Sequence, residues 1–238
     1  MTAEIGLFAK GLDPAFAEAA GLGGADFVIL DREHGPASLA QIHDLVRAVK
    51  AGGARAFVRV PANLSHEIGG ALDSGADGVL VPNVPDAAAA QAAIEAARFH
   101  PLGKRGTCRF VRAADYGLQD DYFAAANRAT LVLQVEGREA VAQLDEILAL
   151  DGFDVLFVGP YDLSQSLGVP GRIDAPDVIE TISDIVARAG KAGKRVGIFC
   201  DTPDGLARWR EAGIQFIACS VDVAIYREAV GRLLKGEA

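Results

Sequence analysis

Asp31 and His34 stand three residues apart in Asp31-Arg-Glu-His34-Gly-Pro36, close enough for a carboxylate to orient an imidazole and raise its basicity. That makes His34 a general-base candidate. Glu136 follows the apolar run Leu131-Val-Leu-Gln-Val135, and Asp162 follows Val158-Gly-Pro-Tyr161. Two carboxylates closing neighbouring strands can share a divalent cation, with water and substrate oxygens filling the other positions. A small oxygen set suits Mg²⁺ or Mn²⁺, with Co²⁺ or Zn²⁺ as alternatives. Asp162 could instead cap the short turn Leu163 to Ser166, whereas a carboxylate at Glu136 would be costly to hold near a core without a cation. Arg59, in Phe57-Val-Arg-Val-Pro61, is expected to be buried where it could grip a carboxylate or an enolate oxygen, or else form an internal ion pair with Asp31 or Asp73. His43, His66 and His100 read as surface residues. A Schiff-base mechanism needs a desolvated lysine at a strand end, and of the six lysines only Lys10 sits just past one, a weak claim.

Those groups need elements that bring them to one place. Eight short apolar runs alternate with amphipathic stretches: Ile5 to Ala9, Phe27 to Leu30, Ala56 to Val60, Gly78 to Val81, Leu131 to Val135, Val155 to Val158, Val196 to Phe199 and Phe216 to Cys219. Helices are expected from near Pro14, Ser38, Ser65, Asp86, Ala140, Asp177, Pro203 and Val223, several with the Ser, Asp or Pro of a first turn. Strands without polar alternation belong to a parallel sheet covered by helices. A weak repeat opens every second strand: Gly24-Ala-Asp-Phe, Gly75-Ala-Asp-Gly, Gly152-Phe-Asp-Val and Gly213-Ile-Gln-Phe. Its recurrence suits a closed (β/α)8 TIM barrel, one domain spanning 1–238. Seven of the eight runs end in polar residues, where barrel enzymes carry their catalytic groups. Phe99 to Tyr122, with Lys104, Arg105, Arg109 and Arg112, is the one long glycine-containing loop.

Composition excludes several classes. Half of the 238 residues are hydrophobic and 23% charged, too balanced for disorder. The net charge of −9 gives no basic footprint, so no nucleic-acid partner is expected. There is no apolar stretch of membrane-spanning length and no signal-peptide pattern at the start, so a soluble cytoplasmic protein without a membrane partner is expected. Cys108, Cys200 and Cys219 form an odd set without a CxxC pair, read as reduced thiols.

In their order along the chain, Asp31-Arg-Glu-His-Gly-Pro36, Val58-Arg-Val-Pro61, Leu72-Asp-Ser-Gly-Ala-Asp-Gly-Val-Leu-Val-Pro-Asn83, Pro101-Leu-Gly-Lys-Arg-Gly106, Gln134-Val-Glu-Gly-Arg-Glu-Ala140 and Val158-Gly-Pro-Tyr-Asp-Leu-Ser164 resemble the HpcH/HpaI family of class II pyruvate aldolases, over nearly the whole chain. The resemblance implies cleavage or formation of 4-hydroxy-2-oxoacids from a pyruvate or hydroxypyruvate enolate and an aldehyde. It implies that Glu136 and Asp162 bind a metal that chelates pyruvate, and that Arg59 stabilises the enolate oxygen. His34, paired with Asp31 and supported by Asp73, would move protons, and backbone amides over Gly159, Pro160, Tyr161 and Asp162 would hold the donor carboxylate. A homo-oligomer is implied too, a trimer or a hexamer built from trimers, with each mouth completed by a neighbouring subunit. Gly137, Asn83 and the Cys219-Ser-Val-Asp222 segment depart from the family pattern and leave the acceptor aldehyde open. A citrate-lyase-like enzyme acting on an acyl-CoA is the second reading, disfavoured because the chain shows no extra segment for the nucleotide. A non-catalytic oxoacid-binding barrel is the third, disfavoured because a binder has no need of a base at His34.

Overall fold

The computed structural model describes residues 2–236. Eight strands close a barrel in chain order, every neighbouring pair parallel: β1 (Glu4–Ala9), β2 (Phe27–Asp31), β3 (Arg55–Arg59), β4 (Gly78–Val81), β5 (Thr130–Val135), β6 (Val155–Val158), β7 (Arg195–Cys200) and β8 (Phe216–Val221). The expected (β/α)8 architecture is therefore present, with strand ends within two residues of the apolar runs. The intervening helices are α1 (Pro14–Leu22), α2 (Leu39–Ala51), α3 (Ser65–Asp73), α4 (Ala87–Ala97), α5 (Tyr122–Ala126), α6 (Arg138–Ala142), α7 (Leu144–Leu148), α8 (Pro160–Ser166), α9 (Pro176–Lys191), α10 (Pro203–Glu211) and α11 (Asp222–Lys235).

Local chemistry explains the starts. Ser38 caps α2 in a capping box with Gln41, Asp86 caps α4, and Thr202 caps α10, each side chain accepting a first-turn backbone N–H. Three of the repeated glycines, Gly24, Gly75 and Gly213, take φ of +94°, +87° and +83° two residues past a helix end, and Gly152 takes +103° in the turn four residues beyond α7, a conformation open to residues without a Cβ. Three of the expected intervals carry an extra helix: α5 precedes β5, the helix expected near Ala140 is divided into α6 and α7, and α8 precedes the helix expected near Asp177. The helix after β6 begins at Pro176, but α8 precedes it, because Pro160 behind the N-cap Gly159 presets the first turn. Asp162 thus lies inside the first turn of α8 and is not its cap.

Two apolar layers flank the sheet. The lumen is filled by Phe8, Phe27, Ile29, Phe57, Leu80, Val132, Val155, Phe157, Phe216 and Ala218, with Phe27 stacked on Phe216 at a ring separation of 3.8 Å. Gly6 makes this filling possible, since a Cβ there would sit 2.2 Å from the Phe27 carbonyl and 2.4 Å from its ring. Outside, Val28, Leu30, Val79, Leu131, Ile198 and Ile217 pack under helical residues such as Ile42, Ile68 and Ile182. A lumen plugged this tightly leaves the carboxyl ends of the strands as the place where polar groups can converge.

Among the described residues no helix is long and apolar enough to cross a membrane.

Candidate active site

A cleft of about 420 Å³ opens at the carboxyl ends of the strands, floored by Phe8 and Phe157 and lined by Lys10, His34, Arg59, Gln134, Gly159, Tyr161, Asp162 and Asp201. Its polar wall begins with the register of β2 against β3, which puts Asp31 directly beside Arg59. The Arg59 Nε donates to Asp31 Oδ1 at 2.9 Å and its NH2 to Oδ2 at 2.8 Å, a bidentate pair, while NH1 lies 2.9 Å from Glu33 Oε2. The ion pair foreseen for Arg59 is made with Asp31. Two of the five guanidinium N–H groups hydrogen-bond Asp31, NH1 meets Glu33 as an ion pair, and two N–H groups are left for a ligand. The guanidinium also stands 4.7 Å over the Phe8 ring.

Asp31 is buried. Burial alone would raise its carboxyl, but the Arg59 hydrogen bonds and charge, the His34 backbone N–H and the Lys10 charge hold it below the ordinary value. Asp31 Oδ1 accepts the backbone N–H of Glu33 at 3.1 Å and of His34 at 3.2 Å. Its hold on His34 therefore runs through the loop backbone, and the imidazole itself is exposed at the mouth.

Glu136, one residue beyond β5, is only 8% exposed. Asn83, in a left-handed conformation with φ +49°, aims its backbone N–H at Glu136 Oε1 at 2.8 Å, and Gln134 Nε2 donates to Oε2. Burial raises the Glu136 carboxyl to about 7; the Gln134 hydrogen bond lowers it, and the charges of Asp162 and Glu33 push it up further. Gly159 is required here, because a Cβ would fall 2.5 Å from Glu136 Oε2. Gln134 Oε1 is buried without a hydrogen-bond partner. A buried carboxylate held at such a cost, a second carboxylate near it and an unpaired amide oxygen fit a hard divalent cation. Among the described residues no three or more His, Cys, Asp or Glu are gathered to hold a metal ion, so the protein donors on offer here are the two carboxylates and the Gln134 amide oxygen.

In the first turn of α8, Pro160 has no N–H and Gly159 N lies 3.4 Å from Val135 O. The N–H groups of Tyr161 and Asp162 are left free for an anion. The Tyr161 hydroxyl donates to Asp201 Oδ2 at 2.7 Å; that bond first, then burial and the Asp201 charge, push the phenol to about 12.

Asp73 is not part of this constellation. It ends α3, and because barrel helices run back against their strands, that end lies at the opposite rim; there Asp73 meets Arg105 NH2 at 2.5 Å, which also bonds the Tyr122 hydroxyl. Glu33 and Gln134 were not singled out from sequence. The adjacency of Glu33 to His34 and the polar break that Gln134 makes in an apolar strand were the available signals.

The family model described as HpcH/HpaI aldolase/citrate lyase matches residues 4–229. The chain is 36% identical over 234 residues to a 2-dehydro-3,6-dideoxy-6-sulfogluconate aldolase of Pseudomonas putida, covering 98% of this chain and 92% of that protein. It is 39% identical over 212 residues to a hydroxypyruvate/pyruvate aldolase of Roseobacter denitrificans, covering 88% and 82%. The crystal structure of a family protein from Burkholderia cenocepacia J2315 superposes with a TM-score of 0.95 at 33% identity, covering 99% of this chain and 94% of that one.

Proposed function

The chain belongs to the HpcH/HpaI aldolase/citrate lyase family, and from that premise we propose that it is a divalent-metal-dependent aldolase, a carbon–carbon lyase that makes and breaks 4-hydroxy-2-oxoacids from a pyruvate or hydroxypyruvate donor and an aldehyde. The observation that carries this reading is the buried Glu136 carboxylate, raised to about 7 by burial and by the charges of Asp162 and Glu33, behind a cleft that Asp162, Arg59 and His34 line. Glu136 and Asp162 would hold Mg²⁺ or Mn²⁺, with Co²⁺ or Zn²⁺ as substitutes. When bound, such an ion supplies Lewis acidity that polarises the donor carbonyl.

The chain's own groups account for the rest. The free N–H groups of Tyr161 and Asp162 receive the donor carboxylate at the start of α8. In cleavage, His34 takes the proton from the C4 hydroxyl, the C3–C4 bond breaks, C4 leaves as the aldehyde, and the electron pair passes into a C2–C3 enolate. The two uncommitted N–H groups of Arg59 face the oxygen on which that charge collects. A proton delivered to C3 gives the pyruvate methyl. Asp31 keeps both partners in place, Arg59 through the bidentate pair and His34 through its backbone.

Assembly as a homo-oligomer, a trimer or hexamer, is supported by α11, which buries none of its residues and exposes Val223, Ile225, Tyr226, Leu233 and Leu234. Asp73, remote from its own mouth, could act only in a neighbour's. An exposed thiol at Cys108 suits the reducing cytoplasm. The deciding experiment is a retro-aldol assay coupled through lactate dehydrogenase with and without EDTA. Activity lost in chelator and restored by Mg²⁺ or Mn²⁺ supports the proposal; full turnover of metal-stripped protein overturns it.

A further inference from the structure

Lys10 enters the cleft from the end of β1, and its course is fixed. The Asp222 carboxylate accepts the backbone N–H of Lys10 at 3.0 Å and of Gly11 at 2.8 Å. From there the ammonium reaches over the cleft to 3.4 Å from both Asp31 Oδ2 and the His34 carbonyl, with its side chain 31% exposed. Asp31 does not need it: that carboxylate already accepts two Arg59 bonds and two backbone N–H groups at 2.8 to 3.2 Å. A strongly hydrated ammonium gains little from a loose contact on a saturated acceptor. Of the two cations lining the cleft, Arg59 is anchored by Asp31 and Glu33 and its remaining N–H groups serve the donor, whereas Lys10, with only loose contacts at 3.4 Å, is uncommitted to that role.

Resting on the aldolase reading, we propose that Lys10 is a specificity-determining residue that selects acceptor aldehydes bearing an oxyanion, a carboxylate, sulfonate or phosphate, on the chain beyond the carbonyl. The position follows from the chemistry. The donor carboxylate belongs at Tyr161 and Asp162, across the cleft, and the C4 oxygen belongs at His34. Whatever the acceptor carries past C4 lies on the His34 side, where Lys10 stands. Asp201, just past β7, makes its own stretch of the rim electronegative, so Lys10 is the favourable place for an anionic tail.

The test is aldol addition of pyruvate, with Mg²⁺ present, to succinic semialdehyde and to pentanal, acceptors of similar length with and without the terminal charge. Wild type should favour succinic semialdehyde, and the preference should shrink as salt rises. Lys10→Met should lose about tenfold or more in kcat/KM for succinic semialdehyde, through KM, while pentanal stays within about twofold; Lys10→Arg should recover much of the loss. An equal loss on both acceptors, or a wild type without preference, overturns the proposal and makes Lys10 a positioning residue for Asp31 and His34. Deuterium exchange into the pyruvate methyl needs no acceptor and separates the two failures. Exchange without charge selectivity sinks only the role of Lys10; no exchange and no addition sinks the aldolase reading with it.

Discussion

Replacing Glu136 by Gln should stabilise the metal-free protein at alkaline pH while destroying its response to metal. A carboxyl raised from 4.5 to about 7 by burial and by neighbouring negative charge binds its proton more tightly in the folded chain than in the unfolded one. The folded state therefore holds the extra proton between those two values, and stability falls as pH rises through that window and is flat above it. At about 1.36 kcal/mol for each tenfold in proton affinity, the ionised form costs roughly 3 kcal/mol above pH 7. Glutamine keeps the shape, still accepts the Asn83 N–H, and offers an N–H that a turned Gln134 amide could accept. In EDTA at about pH 8 the variant should melt roughly 6 to 12 °C above wild type, taking about 2–4 °C per kcal/mol for a chain this long. Below about pH 4.5, where the carboxyl is protonated in both states, the gap should close. With Mg²⁺ or Mn²⁺ at about a hundred times its dissociation constant, wild type should gain about 2.7 kcal/mol and the variant little. Thermal unfolding by circular dichroism across pH, with and without metal, reads all of this. A variant no more stable than wild type in EDTA at pH 8, or equally more stable at every pH, would refute the reasoning.

Arg59→Lys keeps a charge but cannot span both Asp31 oxygens and present two N–H groups to the cleft, so deuterium exchange into the pyruvate methyl should slow by ~10²; unchanged exchange would confine Arg59 to structure. His34→Asn should lower retro-aldol turnover by ~10² to 10⁴ while pyruvate and metal binding, read by calorimetry, persist, since neither set of contacts includes the imidazole. Asp201→Ala removes both the acceptor that holds the Tyr161 proton and its charge, so the phenol should titrate by ultraviolet absorbance below about 12, toward the ordinary 10; an unmoved titration would mean that burial, not Asp201, sets it.

The residues legible in the sequence were those whose chemistry jars with their surroundings. Glu136 after five core residues, Arg59 inside an apolar strand and His34 beside carboxylates at a strand end each break a pattern that burial would otherwise enforce. What stayed hidden was pairing, because pairing depends on register and direction. Asp31 and His34 are three apart in the chain, yet Asp31 spends its side-chain oxygens on Arg59, its neighbour across the β2–β3 ladder, and on backbone N–H groups. A shift of one residue in that ladder would have turned Arg59 away and freed Asp31 for the imidazole. Asp73 shows the same limit for helices. Its motif stands next to β4, but α3 runs back along the barrel and delivers its last residue to the far rim.

Lys10 carries the point furthest. Read locally, it is a polar residue just past a strand and a weak Schiff-base candidate. Its course over the cleft is set by Asp222, 212 residues away in sequence, which abuts β1 only because β8 closes the barrel against it. Closure itself was readable, from eight apolar runs and a glycine repeat. The contact that closure creates between first strand and last helix was not, since no local propensity encodes it. Long-range clamps of this kind decide which strand-end residues point into the mouth, and so which can take part in recognition. The part of this site hardest to read from sequence is therefore the acceptor side, where β8 returns to β1, and it is there that Lys10→Met should separate charged from uncharged aldehydes.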